Sequence, residues 1–204
     1  MTAESVSVTH LAEAASRAPQ PRLSDPLSDA MERYACGDDA AFGPIFGELA
    51  PRLRAFLQRM SGRRDVADDL TQEAFLRIHR ARGSFAPGRA VLPWAYAIAR
   101  NCYLDHVRAK SRAKLASNDD AIQSLAAGPD ASAEEEMVGK QSAALVERTL
   151  AAMTPARREA FVLLRYEGLS VEAAAQVLGV SESAVKVRAF HAYELLRAAL
   201  KSGR

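Results

Sequence analysis

An all-α protein made of two small helical domains joined by a flexible linker is the architecture this sequence predicts. Three observations lead there. Apolar residues recur at helical spacing in two separate stretches. Along the two stretches no strand signals appear. Between the two stretches the composition turns acidic and loses its large apolar side chains. The expected organisation is a disordered extension over 1–28, a helical domain over 29–112, an acidic linker over 113–139 and a second helical domain over 140–204. The length of 204 residues suits two small domains, and 49% hydrophobic residues are enough to give each a core.

The extension, up to about Pro26, is rich in Ala, Ser and Pro. It lacks a basic start followed by an apolar run, so it reads as disordered and not as a secretory signal. In the first domain, Phe42, Ile45, Phe46, Leu49, Leu53, Phe56, Leu57 and Met60 form one core-facing stripe. Pro51 lies inside it and is expected to kink or split that helix. Val66, Leu70, Ala74 and Ile78 form a second stripe behind Asp65, a candidate N-cap. Gly83 and Pro87-Gly88-Arg89 mark a loop. Pro93 fits the first turn of a third helix, which carries Trp94, Ile98, Cys102 and Leu104.

The linker contains Asn118, Asp119, Asp120, Gly128, Pro129, Asp130 and the run Glu134-Glu135-Glu136. Periodicity returns from about Gln141. Thr154-Pro155 supplies a cap and a proline at the first helical position, and Gly168 ends that helix. Ser170 can cap a short helix that stops at Gly179, and Ser181 can cap a longer one. A short helix, a tight glycine turn and a longer helix is helix-turn-helix spacing. Along the longer helix, Val185, Ala189, Ala192, Leu196 and Ala199 make the packing stripe. The opposite face carries Ser183, Lys186, Val187, Phe190, His191 and Glu194, with Arg188 at its edge. Apolar Val187 and Phe190 suit thymine methyls or sugars, while Lys186 and Arg188 suit phosphates or guanine edges. Spacing alone leaves two other readings open: an ordinary three-helix bundle, or a face for a protein partner.

The formal net charge is +2, from 27 basic and 25 acidic residues, so the distribution of charge has to decide whether nucleic acid is a partner. Cys36 and Cys102 lie far apart without metal-ligand spacing and read as reduced thiols in a cytoplasmic protein. No metal or cofactor is expected. The four histidines are scattered, with no HExxH pair and no glycine-rich phosphate loop, so nothing points to catalysis or nucleotide hydrolysis. No apolar run is long enough to span a bilayer, so no membrane contact is expected.

Three segments resemble, in order and spacing, the extracytoplasmic-function (ECF) group of the sigma-70 family of bacterial RNA polymerase sigma factors. They are Asp69–Phe75, Trp94–Asn101, and Gly168–Ser170 continuing through Val185–Arg188. The resemblance covers about residues 30–200 and implies a sigma2-like bundle followed by a sigma4-like helix-turn-helix domain. It implies that Asp69, Gln72 and Glu73 dock on the clamp helices of the largest polymerase subunit, where acidic and amide groups meet a basic coiled coil. Leu70 and Ala74 then face inward. It implies that Trp94, Arg100, Asn101 and Arg108 serve the −10 element and its melting. Trp94 acts mainly in packing, and Asn101 lines a pocket for a flipped base, whose edge an amide can both donate to and accept from. His106, Lys110, Arg112 and Lys114 extend the basic end of that helix, and the loop 84–92 before it holds the displaced strand. Ser183, Lys186, Val187, Arg188, Phe190 and His191 fall on positions that read the −35 element. Three departures touch the promoter sequence rather than the fold: Ser183-Ala184 for Gly-Thr, Ala173-Ala174-Ala175 for an Ile-containing segment, and His191 for an Arg. The resemblance also implies control by an anti-sigma protein.

Rival readings explain less. A stand-alone helix-turn-helix regulator leaves Asp69–Phe75 and Trp94–Asn101 without a task. An enzyme lacks a constellation to work with. A sigma mimic with an attached receiver domain needs more chain than residues 1–28 provide.

Overall fold

The computed structural model describes residues 25–117 and 137–202. Residues 1–24 of the expected extension (1–28) and 118–136 of the expected linker (113–139) lie outside the described residues; the remainder departs from expectation, since Asp25 caps a helix that begins at Pro26, and 113–117 and 137–139 are helical. Among those described there are eight α-helices and no strand. They are α1 (Pro26–Ala35), α2 (Phe42–Ser61), α3 (Arg64–Ala81), α4 (Val91–Ser117), α5 (Met137–Ala152), α6 (Pro155–Arg165), α7 (Val171–Leu178) and α8 (Glu182–Ser202). Single 3-10 turns at Asp39–Ala41 and Arg82–Ser84 join α1 to α2 and follow α3.

In the first half, α1 to α4 close around Met31, Ile45, Leu49, Leu53, Phe56, Leu57, Ile78, Val91 and Tyr96, all of them fully buried. Two local expectations need correction. Pro51 does not split its helix: α2 runs unbroken from Phe42 to Ser61. Proline removes its own N–H and crowds the carbonyl of residue 47. Both Pro51 and Gly47 are exposed, so water can serve that carbonyl. Asp65 is not the N-cap of α3. Arg63 holds that position, and Asp65 lies in the first turn, where its carboxylate pairs with Arg63. An acid there still meets the positive end of the helix.

In the second half all three expected N-cap residues hold the cap position, but only the two serines cap through a side-chain hydrogen bond; the Thr154 hydroxyl makes none. Thr154 precedes Pro155 at the start of α6, and the Ser170 hydroxyl accepts from the Ala173 N–H at 3.1 Å. Gly179 takes the left-handed conformation at φ 65°, which lets α7 turn sharply into α8. The Ser181 hydroxyl accepts from the Ala184 N–H at 3.2 Å. Val185, Ala192 and Leu196 of α8 are buried, as the stripe requires.

The two halves do not stand apart. One continuous apolar cluster runs from Met31, Phe56 and Tyr96 to Val162, Leu163, Leu178 and Val185. Helix α7 packs on α4, and α6 packs on α2.

Candidate nucleic-acid interface and the surfaces around it

Helix α3 turns Leu70 and Ala74 into the core and leaves Asp69 and Gln72 exposed. Glu73 is half-buried and accepts from Arg77 Nε at 2.8 Å, so part of its charge is already answered. Arg77 also donates to Asp105 of α4 at 2.8 Å. Burial alone would lower the Arg77 pKa; the Asp105 and Glu73 hydrogen bonds outweigh it and raise it. Exposed Leu76 continues the Asp69–Gln72–Glu73 face one turn on, and the ring of exposed Phe46 lies 4.7 Å from that of Phe75, the residue before it. Sequence reasoning missed this apolar end. The signal was present, since Leu76 breaks the polar outer face at helical spacing.

On α4, Trp94 is half-buried and packs edge-on against Phe85 with ring centroids 5.2 Å apart. Asn101 is half-exposed, and its side-chain amide makes no hydrogen bond to another described residue. Arg108 is exposed and meets Asp105 at 3.3 Å. His106 is half-exposed, and Lys110 and Arg112 are exposed further along. Arg100 departs from expectation. It points into the contact between the two halves, where its guanidinium lies 3.1 Å from the Glu159 carboxylate, itself 3% exposed.

On α8, Ser183, Lys186, Val187, Phe190 and His191 are all exposed, and Arg188 is half-buried. Val187 is 55% and Phe190 61% exposed, unusual for apolar side chains on a packed helix. The Phe190 ring meets His191 edge-on, and Lys186 lies 3.9 Å from Glu182. The helix thus keeps an apolar and basic strip out of the core.

The contact between the halves contains groups that sequence reasoning did not single out. Buried Arg158 of α6 donates to the carbonyls of Leu150 (2.8 Å), Ala151 (2.6 Å), Met153 (3.1 Å) and, across the contact, Met60 (2.8 Å). Tyr96 of α4 donates its hydroxyl to Glu167. Arg59 of α2 stacks on the Tyr166 ring at 4.1 Å and lies 3.5 Å from Glu167. Arg158 and Glu159 each stand one turn before an apolar residue of the buried face, Val162 and Leu163. That spacing marked them as inward-facing, but they look like surface charges on a proline-started helix. Among the described residues no group of His, Cys, Asp and Glu could hold a metal. No helix among them is long and apolar enough to cross a membrane. Cys102 is buried, which pushes its thiol up to about 11 and keeps it protonated at neutral pH.

Burial raises the pKa of Glu159, with Arg100 pulling it back, and raises that of Glu167, with Tyr96 pulling it back. The folded chain therefore holds protons on these groups that the unfolded chain has released. Their contribution to stability is greatest below the ordinary glutamate range and is lost as pH rises through the raised values. The urea midpoint is expected to fall as pH rises above the ordinary glutamate range, and to fall less in Glu167→Gln. Equal slopes in the two proteins would show that burial of this carboxyl is not the cause.

Two family models match the chain: Sigma-70 region 2 over residues 45–113 and Sigma-70, region 4 over residues 143–196. The RNA polymerase sigma factor CarQ of Myxococcus xanthus is 36% identical over 171 residues, covering 82% of this chain and 93% of CarQ. The ECF RNA polymerase sigma factor SigF of Caulobacter vibrioides is 31% identical, covering 83% of this chain and 91% of SigF. A solved structure of the sigma factor RpoE from Bartonella quintana, in complex with the anti-sigma factor NepR, matches with a TM-score of 0.68 at 27% identity. It covers 80% of this chain and 98% of that one. Matched in both regions, and along most of its length by full-length relatives, the chain belongs to the ECF group of sigma-70 family RNA polymerase sigma factors.

Proposed function

We propose that this chain binds the RNA polymerase core, recognises the −10 and −35 promoter elements and promotes DNA melting, with no catalytic chemistry of its own. The observation that carries this is the strip on α8. Lys186, Val187, Phe190 and His191 stay exposed on the second helix of a helix-turn-helix whose opposite face packs through Val185, Ala192 and Leu196. A solvated helix face gains nothing from an exposed Phe and Val; a major groove gives them thymine methyls and sugars. Ser183 and Arg188 sit at the two sides of the strip and serve −35 recognition with it.

The first domain, over 29–112, supplies the other two surfaces. Asp69, Gln72 and Glu73 dock on the clamp helices of the largest subunit, with Leu76 as an apolar anchor beside them. Asn101 captures an unstacked base near −10, Trp94 braces its helix, and Arg100 and Arg108 serve the DNA backbone. Capture favours the open state because the pocket takes the flipped base and not the paired one. The linker over 113–139 tethers this domain to the −35 reader over 140–204, and the extension over 1–28 has no assigned task. The chain works in the cytoplasm, where polymerase and promoters are, and needs neither metal nor cofactor. As the Bartonella quintana relative is held by NepR, we infer that an anti-sigma protein controls this chain too.

Transcription in vitro from a promoter library is the test: specific transcripts are expected only when the chain is added to core polymerase. A stand-alone regulator would instead bind duplex DNA tightly without polymerase. Lys186→Ala is expected to weaken DNA binding across many sequences and to lower the slope of log affinity against log salt by about one. An unchanged slope would take Lys186 off the phosphate backbone.

A further inference from the structure

We propose that Glu32 of α1 is a positioning residue for the −10 element: its carboxylate holds Gly88, and through it the loop 84–92, in the place from which that loop serves the melted strand. The proposal rests on the reading of this loop and of Asn101 as the −10 surface, and its structural part is tested without that reading.

Helix α1 ties the loop at several points. Phe85, near the start, is buried and packs edge-on against Trp94, with ring centroids 5.2 Å apart. Val91, near the end, is fully buried, and its N–H donates to the Ser28 hydroxyl of α1 at 3.4 Å. That hydroxyl in turn donates to Asp25 at 2.9 Å. Between these two buried positions stand residues 86–90, each exposed or half-buried. Glu32 reaches the middle of them: its Oε1 accepts from the Gly88 N–H at 2.6 Å, across 56 positions of sequence. Ser28 and Glu32 are four residues apart, so one face of α1 serves both contacts. The 3-10 turn that leads into the loop rests on the same helix, with the Arg82 guanidinium 5.4 Å from the centre of the Tyr34 ring.

Turn chemistry explains why a side chain is needed here. Pro87 is followed by Gly88 at φ 73°, and the Arg89 N–H donates to the Ala86 carbonyl at 3.3 Å, as in a type II turn. Such a turn uses the N–H of its last residue and leaves that of Gly88 without a partner inside it. A carboxylate on a helix gives this N–H a strong acceptor at a fixed place.

The place itself points to the −10 element. Trp94, against which Phe85 packs, stands seven residues before Asn101 on α4. That is two turns, about 10 Å along one helix face. The loop is thus held at the head of the face that carries Asn101. A loop fixed beforehand loses little conformational freedom when it meets the strand, so more of the contact energy is left for opening. The Glu32 charge by itself works the other way, because a carboxylate beside a DNA-facing loop repels phosphates. Positioning and charge therefore predict opposite results.

The test uses the full chain, first alone and then with core polymerase. Hydrogen exchange at the Gly88 amide is expected to quicken about tenfold in Glu32→Ala and to stay near the original rate in Glu32→Gln, whose amide oxygen still accepts. On a promoter recovered from the library, Glu32→Ala is expected to slow open-complex formation about tenfold and to flatten the preference among the four bases at the most selective −10 position. Affinity for core polymerase and for a duplex −35 oligonucleotide should not change. Glu32→Gln should restore both opening and base preference, a rescue that a loss of charge alone would not give. Equal exchange in the three proteins overturns the tie. Faster exchange with normal opening and base preference overturns the positioning role, as does faster opening in both variants. If Glu32→Ala loses helix content by circular dichroism, Ser28→Ala reads the loop from its other tie, and normal opening there overturns the proposal. Absence of promoter-specific transcripts from the unsubstituted chain is a failure of the functional reading, and exchange at Gly88 still decides the tie.

Discussion

Replacing Arg158 by Ala is expected to destabilise the chain by about 3–5 kcal/mol, measured as the shift in urea unfolding at constant denaturant slope. The guanidinium ties together four carbonyls, from Leu150, Ala151, Met153 and Met60. The first three belong to the end of α5 and the turn into α6, where helix carbonyls have run out of intrahelical partners. Burial lowers the Arg158 pKa from its ordinary value, yet that value is so high that the group stays charged at neutral pH. A charged donor to a neutral carbonyl contributes about 1.5–3 kcal/mol net, and a carbonyl left dry and unpaired costs about 1–3 kcal/mol. Water entering the vacated space limits the total to the stated range. Arg158→Lys should recover only part of it, because one ammonium cannot cover the directions that the planar fork covers. A loss below about 1 kcal/mol for Ala would mean that water serves these carbonyls as well as the side chain does.

Asn101→Ala is expected to slow open-complex formation by about 10- to 100-fold while leaving duplex −35 binding unchanged. Local unpairing costs a few kcal/mol, which capture of a flipped base offsets; removing the amide removes the part made by its two hydrogen bonds. Asn101 is half-exposed with an unengaged amide, so the substitution should cost little stability. This separates it from Arg158→Ala, whose effect is on folding. A template with a pre-melted bubble over the −10 element should restore most of the rate. Slow opening that persists on the bubble, or normal opening on the duplex, would remove Asn101 from base capture.

These two residues also mark the limits of what could be read in one dimension. Asn101 could be proposed from the sequence because its place in Trp94–Asn101 matches a family segment, and the structure leaves it half-exposed. Arg158 could not. Nothing local separates an arginine at the start of a helix that faces water from one that faces a carbonyl cluster, since the Met60 carbonyl is 98 residues away in sequence. The same holds for Arg100, which stands among cations that look alike in sequence, yet it alone is taken by Glu159. Pro51 failed as a helix breaker for a related reason. Its cost is set by whether the freed carbonyl meets water or core, and that depends on which face of α2 is covered.

What the sequence determined by itself was everything carried by short-range periodicity and local chemistry. That includes the helical stripes, the caps at Ser170 and Ser181, the proline start at Pro155, the left-handed turn at Gly179, and the exposed strip of Lys186, Val187, Phe190 and His191 on α8. These depend on residues within a turn or two of each other, so spacing suffices. Only the tertiary structure decided how the halves meet: that Glu159 and Glu167 reach across to Arg100 and Tyr96, that Arg158 reaches Met60, and that one apolar cluster spans both halves. Such contacts join residues some 60 to 100 positions apart, and their partners are chosen by shape and desolvation, which no local pattern encodes.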